Sequence, residues 1–332
     1  MKSVICAAFA PLESLTIGAA PRPEIGETDI LIAVQAAGVN FPDGLMVQGK
    51  YQTKPALPFT PGSEAAGVVE AVGGKVTGFK PGDRVVAFSG TGAFAEYVKV
   101  PASQVYHLPA GANWASAAGL LITYGTSYYA LRDRAGLKPG ETLLVLGAAG
   151  GVGLAAVELG ALMGARVIAA ASTADKLALA RARGAAETIN YADEDLRARL
   201  KALTDGRGVD VVYDPVGGAM SIAAVKSLAW GGRHLVIGFA QGDIPSIPTN
   251  LLLLKNAAAI GVLWGNALRA DPALHARNIA DLTAWLAAGN ISPAIDTIFP
   301  LERAVAAIAH VMDRRARGKV ILAVRPDKED EA

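Results

Sequence analysis

The segment Gly147-Ala148-Ala149-Gly150-Gly151-Val152-Gly153 has the composition and spacing to hold a phosphate. It follows Thr142–Leu146, which reads as a strand, and opens Val152–Met163, which reads as a helix. A helix N-terminus offers unpaired N–H groups and a partial positive charge to an anion. On this reading Ala149, Gly150, Gly151 and Val152 form a pyrophosphate cradle. Gly150 lets the backbone approach the ligand, and Gly153 lets the helix pack closely on the strand. Ala148 stands where the usual dinucleotide fingerprint has its first glycine.

The residues beyond the cradle bear on which dinucleotide it would hold. A site for an unphosphorylated ribose carries an acid at the end of the second strand, about 20 residues on. Here that strand ends Ala169-Ala170-Ala171-Ser172, Lys176 follows one helical turn later, and Tyr191 ends the next strand region. The missing carboxylate removes repulsion of a 2′-phosphate, and a lysine supplies charge-assisted contacts of roughly 1.5–3 kcal/mol each. The expected cofactor is NADPH rather than NADH. Asp175 is the competing acid, and it reads as a first-turn residue stabilising its helix dipole.

Other reactive side chains are sparse. His107, His234, His275 and His310 are scattered without a HExxH pair, so they read as structural or surface histidines. Cys6 is the single cysteine, which excludes an internal disulfide and a cysteine-rich zinc site, and it reads as a small buried hydrophobe. No tyrosine has a lysine four residues later, and no Gly-x-Ser-x-Gly elbow occurs.

These residues need a scaffold that the sequence also outlines. Strands are expected at Asp29–Gly38, Ala66–Val72, Arg84–Phe88 and Phe94–Val100, with Gly/Pro turns between them, which suggests a compact barrel-like β domain. Trp114–Ala130 turns helical. Strands at Thr142–Leu146, Arg166–Ala171, Val209–Tyr213, His234–Gly238 and Asn256–Val262 then alternate with helices at Val152–Met163, Ala174–Arg183 and Met220–Leu228. That series predicts an α/β fold whose parallel sheet is doubly wound. Leu274–Ala288 and Leu301–Arg315 read as amphipathic helices, Val320–Val324 as a closing strand, and the charged tail Asp327–Ala332 as frayed.

The composition agrees with a globular two-domain chain: 332 residues, 52% hydrophobic and 18% charged, with net charge +1. The small net charge and the lack of cation clusters interleaved with aromatics argue against a nucleic-acid partner. The one basic run, Arg314-Arg315-Ala316-Arg317, reads as a solvated helix end. The charge-free stretch Val100–Leu131 contains prolines and glycines, so no membrane span is expected, and the cytoplasm is the expected location.

Four segments carry a family likeness: Gly38-Val39-Asn40-Phe41-Pro42-Asp43, Pro61-Gly62-Ser63-Glu64-Ala65-Ala66-Gly67, Gly82-Asp83-Arg84-Val85 and the Ala148–Gly153 loop. With them the chain resembles, over nearly its whole length, the medium-chain dehydrogenase/reductase superfamily. The resemblance implies a GroES-like β-rich catalytic domain (residues 1–119), an inserted Rossmann domain (120–262), a return to the catalytic domain (263–332), and an active site in the cleft between them. Zinc enzymes of that superfamily carry Cys and His where this chain has Asn40 and Ser63, and they have a four-cysteine lobe absent here. The expectation is therefore a zinc-free enzyme similar to the quinone oxidoreductase branch, passing hydride to a quinone or a carbonyl-conjugated C=C, and working as a homodimer. The resemblance implies that Asn40 and Thr126 lie near the nicotinamide and that Ser172, Lys176 and Tyr191 hold the 2′-phosphate. Gly238-Phe239 would flank the cofactor, and Leu263-Trp264-Gly265 and Lys319 would close over it. Glu64 reads as a partner in a hydrogen bond within its own domain.

Met46-Val47-Gln48-Gly49-Lys50-Tyr51 with Leu57-Pro58 also resembles the segment bearing the catalytic tyrosine of 2-enoyl thioester reductases. That likeness makes Tyr51 a candidate proton donor to the α-carbon of an enoyl ester; the alternative is that it only covers the nicotinamide. A lesser alternative is a protein that binds NADPH without catalysing a reaction.

Overall fold

The computed structural model describes residues 1–325; the expected frayed tail lies outside the described residues. In chain order the elements begin with β1 (Lys2–Ile5), β2 (Thr16–Ala19), β3 (Asp29–Val39), α1 (Phe41–Val47), β4 (Glu64–Val72), β5 (Arg84–Phe88), β6 (Tyr97–Pro101), β7 (Val105–His107), α2 (Trp114–Ala118) and α3 (Leu121–Tyr128). There follow β8 (Thr142–Leu146), α4 (Gly151–Leu162), β9 (Arg166–Ala171), α5 (Ala174–Ala182), β10 (Glu187–Asn190), α6 (Leu196–Leu203), β11 (Val209–Asp214), α7 (Gly218–Lys226), β12 (Leu228–Val236), α8 (Thr249–Leu253) and β13 (Ala258–Gly261). The last are α9 (Trp264–Ala270), α10 (Pro272–Ala287), β14 (Ile295–Pro300), α11 (Ala304–Met312) and β15 (Lys319–Ala323).

The chain divides into two compact units, Thr123–Asn278 and the two segments on either side of it. In the unit that holds both termini, the sheet runs β14-β15-β3-β4-β5-β7, with β6 paired to β3. β3 is the hub, antiparallel to β15, β4 and β6. Its inward residues Ile30, Ile32, Val34 and Val39 join Val4, Phe94, Val100, Ile308 and Leu322 in one core. Residues 36–39 of β3 pair with β15, so the C-terminal strand is set beside the start of the chain's first polar motif.

The Thr123–Asn278 unit holds a six-stranded, all-parallel sheet in the order β10-β9-β8-β11-β12-β13. Counted from β8, that is 3-2-1-4-5-6, the order of doubly wound dinucleotide-binding sheets. The order reverses between β8 and β11, and ligands of such sheets bind beyond the carboxyl ends of the strands at that point. The consecutive residues Leu143, Leu144, Val145 and Leu146 of β8 are all fully buried, as expected for a sheet covered on both faces.

Several elements differ from the sequence expectation. The helical stretch at Trp114–Ala130 breaks between α2 and α3, and Tyr129–Arg134 is a π-helical segment. The expected strand at Phe94–Val100 begins only at Tyr97, because Ala95 pairs singly with Ser3. The second division of the chain falls at Asn278 within α10, rather than at 262. The reason is packing: the rings of Tyr129 and His275 meet at 5.3 Å between centroids, and Asn278 donates to Asp133 at 2.6 Å, while Trp264 meets His275 edge to face at 6.0 Å. The first two contacts tie the first half of α10 to the nucleotide-type unit, and the third ties α9 to α10. Among the described residues no helix is long and apolar enough to cross a membrane.

Candidate cofactor cradle and buried polar cluster

In the Thr123–Asn278 unit, β8 delivers the chain to Gly147 and α4 begins at Gly151. The first intrahelical bond is Leu154 N–H to Gly150 O at 2.8 Å, so the N–H groups of Gly151, Val152 and Gly153 have no intrahelical acceptor. A Cβ on Gly153 would lie 2.2 Å from Gly147 O, so this glycine is required by the packing of helix on loop. Gly150 differs. Its φ is −78°, ordinary for any residue, and an added Cβ would meet nothing nearer than Gly147 O at 3.5 Å. Neither backbone conformation nor internal packing demands glycine there. The space it leaves lies at a helix N-terminus, and that fits a bound pyrophosphate.

The residues expected to select the 2′-phosphate come together at the ends of β9 and β10. Tyr191 N–H donates to Ala171 O at 3.1 Å, which sets Tyr191 beside the chain at Ser172. Thr173 caps α5 by accepting from Lys176 N–H at 3.4 Å, placing Lys176 in the first helical turn. β9 ends in alanine, with no acid at its carboxyl end.

A second wall grows from β11. Asp214, at the end of that strand, accepts from Val216 N–H (2.8 Å) and Gly217 N–H (3.0 Å), from Ser221 Oγ, and lies 3.2 Å from His234 Nε2. Burial alone would raise its carboxyl, but the bonds from His234, Ser221 and Gly217 hold it below the usual carboxylate range. Its backbone carbonyl accepts from Ile237 and Gly238, and Ala240 donates to Pro215 O. Asp214 thus fixes the Gly238-Phe239 turn beside the switch point. Sequence reading missed Asp214; a charged residue closing an apolar strand was the available signal.

Thr126 is half-buried on α3, between Gly125 and Ser127. Ser127 Oγ donates to Val152 O at 3.0 Å and pairs with the Tyr213 hydroxyl at 2.8 Å, which locks α3 to the head of α4. A Cβ on Gly125 would lie 2.6 Å from the Trp264 ring, so Trp264 backs the same helix. Trp264 is buried and Leu263 is exposed; both belong to this unit, not to the returning domain in which they were expected.

The other unit carries a buried polar cluster. Asn40, which precedes α1, donates from Nδ2 to Glu64 Oε1 (3.0 Å) and Gly38 O (3.2 Å), and its Oδ1 accepts from Lys319 Nζ. Lys319 Nζ also donates to Glu64 Oε1, and Glu64 Oε2 accepts from Ile122 N–H at 2.9 Å. A Cβ on Gly38 would lie 2.5 Å from Glu64 Oε1, so the Gly38-Val39-Asn40 motif makes room for this carboxylate. Lys319 is 3% exposed. Its ammonium is bonded to Asn40 and Glu64, because a buried cation needs an anionic partner. Glu64 makes the within-domain bonds expected of it.

Asp43 completes the cluster. It accepts from Asn40 N–H at 2.8 Å and from Ser63 Oγ at 2.6 Å. Burial pushes its carboxyl up to about 6, against the pull of those two bonds. Tyr51 is half-buried, and burial, then the charge of Asp43, raise its phenol above the ordinary range, which keeps it protonated near neutrality. Asn40 and Ser63, which stand at the two expected metal-ligand positions, are thus bonded to Lys319 and Asp43. A buried ammonium beside Glu64 disfavours a second cation there. These residues do not fit a catalytic zinc.

Comparison with known proteins adds the following. Residues 26–110 match the family model described as alcohol dehydrogenase GroES-like domain, and residues 151–280 match that described as zinc-binding dehydrogenase. The quinone oxidoreductase-like protein 2 of Rattus norvegicus is 41% identical over 307 residues, covering 92% of this chain and 87% of that protein. The quinone oxidoreductase of Homo sapiens is 34% identical, covering 92% and 91%. The crystal structure of Escherichia coli quinone oxidoreductase complexed with NADPH superposes with a TM-score of 0.90 at 30% identity, covering 98% of this chain and 100% of that one.

Proposed function

The chain belongs to the medium-chain dehydrogenase/reductase superfamily, in its quinone oxidoreductase branch, and on that premise we propose an NADPH-dependent reductase of quinones or carbonyl-conjugated C=C bonds that works without zinc. The observation that carries the reading is Gly150, a glycine that neither its φ nor its internal neighbours require, at the N-terminus of α4. A ligand phosphate explains it. When bound, the cofactor supplies a hydride to the acceptor. Ser172, Lys176 and Tyr191 hold its 2′-phosphate, and the absence of an acid at the end of β9 spares that phosphate repulsion. Lys319 and Glu64 between them fix the Asn40 amide, with its oxygen toward the ammonium and its NH2 toward the carboxylate. An acceptor already activated by its own carbonyl needs no Lewis acid, which agrees with residues that suit no zinc.

The test follows NADPH oxidation against quinones, enones, nitroalkenes and short enoyl-CoA esters, with NADH in parallel, before and after treatment with a strong chelator. Turnover with a quinone or enone, preference for NADPH and indifference to the chelator are expected. Loss of turnover on zinc removal would overturn the zinc-free reading. Tight NADPH binding with no oxidation by any acceptor would leave a non-catalytic binding protein.

A second reading, 2-enoyl thioester reduction, is favoured by one observation: Tyr51 is half-buried and close enough to Asp43 of the buried polar cluster to feel its charge, and like any tyrosine near neutrality it carries a proton. Enoyl reduction leaves a carbanion-like centre that must be protonated in place, whereas a reduced quinone is a stable oxyanion. Tyr51→Phe keeps the ring and removes the proton. If Tyr51 is the donor, kcat on an enoyl ester should fall about a hundredfold while quinone turnover and NADPH affinity change little. Unchanged rates on both acceptors would make Tyr51 a cover for the nicotinamide.

A further inference from the structure

A cavity of about 330 Å³ lies in the Thr123–Asn278 unit, lined by Arg197, Lys201, Lys226 and Lys255 among others. Its floor includes Gly206 and Gly208, just before β11, and Ser227, just before β12. β8, β11 and β12 are parallel, and the glycine cradle follows the last residue of β8. The cavity and the cradle therefore stand at opposite ends of one sheet.

Four cations converge on this cavity against a single acid, Asp195, whose carboxylate caps α6 by accepting from Ala198 N–H at 2.7 Å. Arg197, Lys201 and Lys226 form no ion pair with any described residue. Among the described residues the Lys255 ammonium donates only to a neutral group, the carbonyl of Leu228. Burial, then the charge of Arg197, push Lys255 below its ordinary range, so the two cations repel across the cavity. Lys201 and Lys226 lie in the last turns of α6 and α7, where the helix dipole favours a cation. That account fails for Arg197, which lies in the first turn of α6, and for Lys255, which lies beyond α8. A second cavity of about 350 Å³ shares Arg197, Lys226 and Lys255 and adds Leu251 and Leu254. Leu254 is 70% exposed.

We propose that these adjoining cavities form a second ligand site for a soluble phosphate ester, its phosphate among Arg197, Lys201, Lys226 and Lys255 and its apolar part on Leu251 and Leu254. A phosphate dianion offers acceptors to several of these donors at once and relieves the repulsion between Arg197 and Lys255. The aliphatic stems and leucines beside them give the ester, and not the free ion, surface to bury. The site is independent of the hydride-transfer reading, because it lies at the far end of the sheet from the cradle.

The test is calorimetric titration of the full chain with hexyl phosphate and with inorganic phosphate, in the presence and absence of saturating NADPH. Hexyl phosphate should bind about tenfold tighter than inorganic phosphate and be indifferent to NADPH. Arg197→Glu and Lys226→Glu should each weaken both ligands by at least about tenfold while leaving NADPH affinity unchanged. Leu254→Asp should abolish the advantage of the hexyl chain. The proposal is overturned if hexyl phosphate fails to bind at millimolar concentration, if NADPH displaces it, or if both charge reversals bind it normally. It is overturned equally if the protein sediments with phosphatidic acid vesicles but does not bind the monomeric ester, since the cations would then serve a membrane surface.

Discussion

Lys319 and Asn40 are hydrogen-bonded across 279 positions of sequence, and the ion pair of Lys319 with Glu64 is almost wholly buried. Removing one member strands the other without its counter-charge, which typically costs about 3–5 kcal/mol, whereas removing both leaves no charge unpaired. Glu64→Gln and Lys319→Met should each lower the urea midpoint sharply, and the double variant should lose clearly less than the sum of the two. Additive losses would show that the pair is not coupled. Asp43 gives a pH signature of the opposite sense from a salt-bridged acid. Its folded carboxyl holds a proton up to about 6, against an ordinary value of 3.8. The folded state therefore binds more protons than the unfolded state between those values. The contribution of Asp43 to stability is best below pH 4 and declines as pH rises to about 6, by up to about 3 kcal/mol, then stays level. Asp43→Asn should remove that slope. Unfolding free energies of the two proteins that run parallel from pH 4 to pH 7 would refute it.

At the scale of elements, what was legible is what local pattern controls. The strands Arg84–Phe88, Thr142–Leu146 and Arg166–Ala171 have the bounds their β-branched and apolar runs predict. Helix α1 went unread because Pro42 and Gly44 look like breakers. Pro42 sits in the first turn, where its missing N–H costs no intrahelical bond. The cradle was readable because strand, loop and helix are contiguous; the Asn40–Glu64–Lys319 cluster was not, because β4 and β15 reach β3 only through sheet pairing. The two cradle glycines permit a test that separates folding from binding. Gly153→Val places carbon against the Gly147 carbonyl and should destabilise the protein by several kcal/mol, the strain expected of a core overpacked without room to relax. Gly150→Val has space within the protein and should melt within a few degrees of wild type while losing NADPH binding. Both measurements use thermal unfolding and cofactor titration. A Gly150 variant that binds NADPH normally would remove the support for the cradle.

The whole molecule exposes two sheet edges in its nucleotide-type unit, and they differ in character. The β10 edge is guarded by charge: Glu187 pairs with Arg166, and Arg181 donates to Thr188 at 2.9 Å. β13 holds only Ala258, Ala259, Ile260 and Gly261, three of them exposed, without the lysine or proline that blunts most free edges. Val262 N–H donates to Val236 O, so along this parallel strand the alternate residues Ala259 and Gly261 turn their N–H and C=O groups outward. Arg134 reaches the Gly261 carbonyl at 3.3 Å, while the outward groups of Ala259 meet no neighbouring strand among the described residues. A second copy offers the same edge in the reverse direction, and a two-fold axis through β13 would join the two six-stranded sheets by antiparallel pairing. A homodimer built this way predicts a light-scattering mass twice the 34.0 kDa of the chain. Ala259→Pro removes an outward N–H without touching a bond to β12, so it should yield a monomer whose NADPH affinity is retained. A wild-type monomer at micromolar concentration, or a proline variant that stays dimeric, would exclude this edge as the interface.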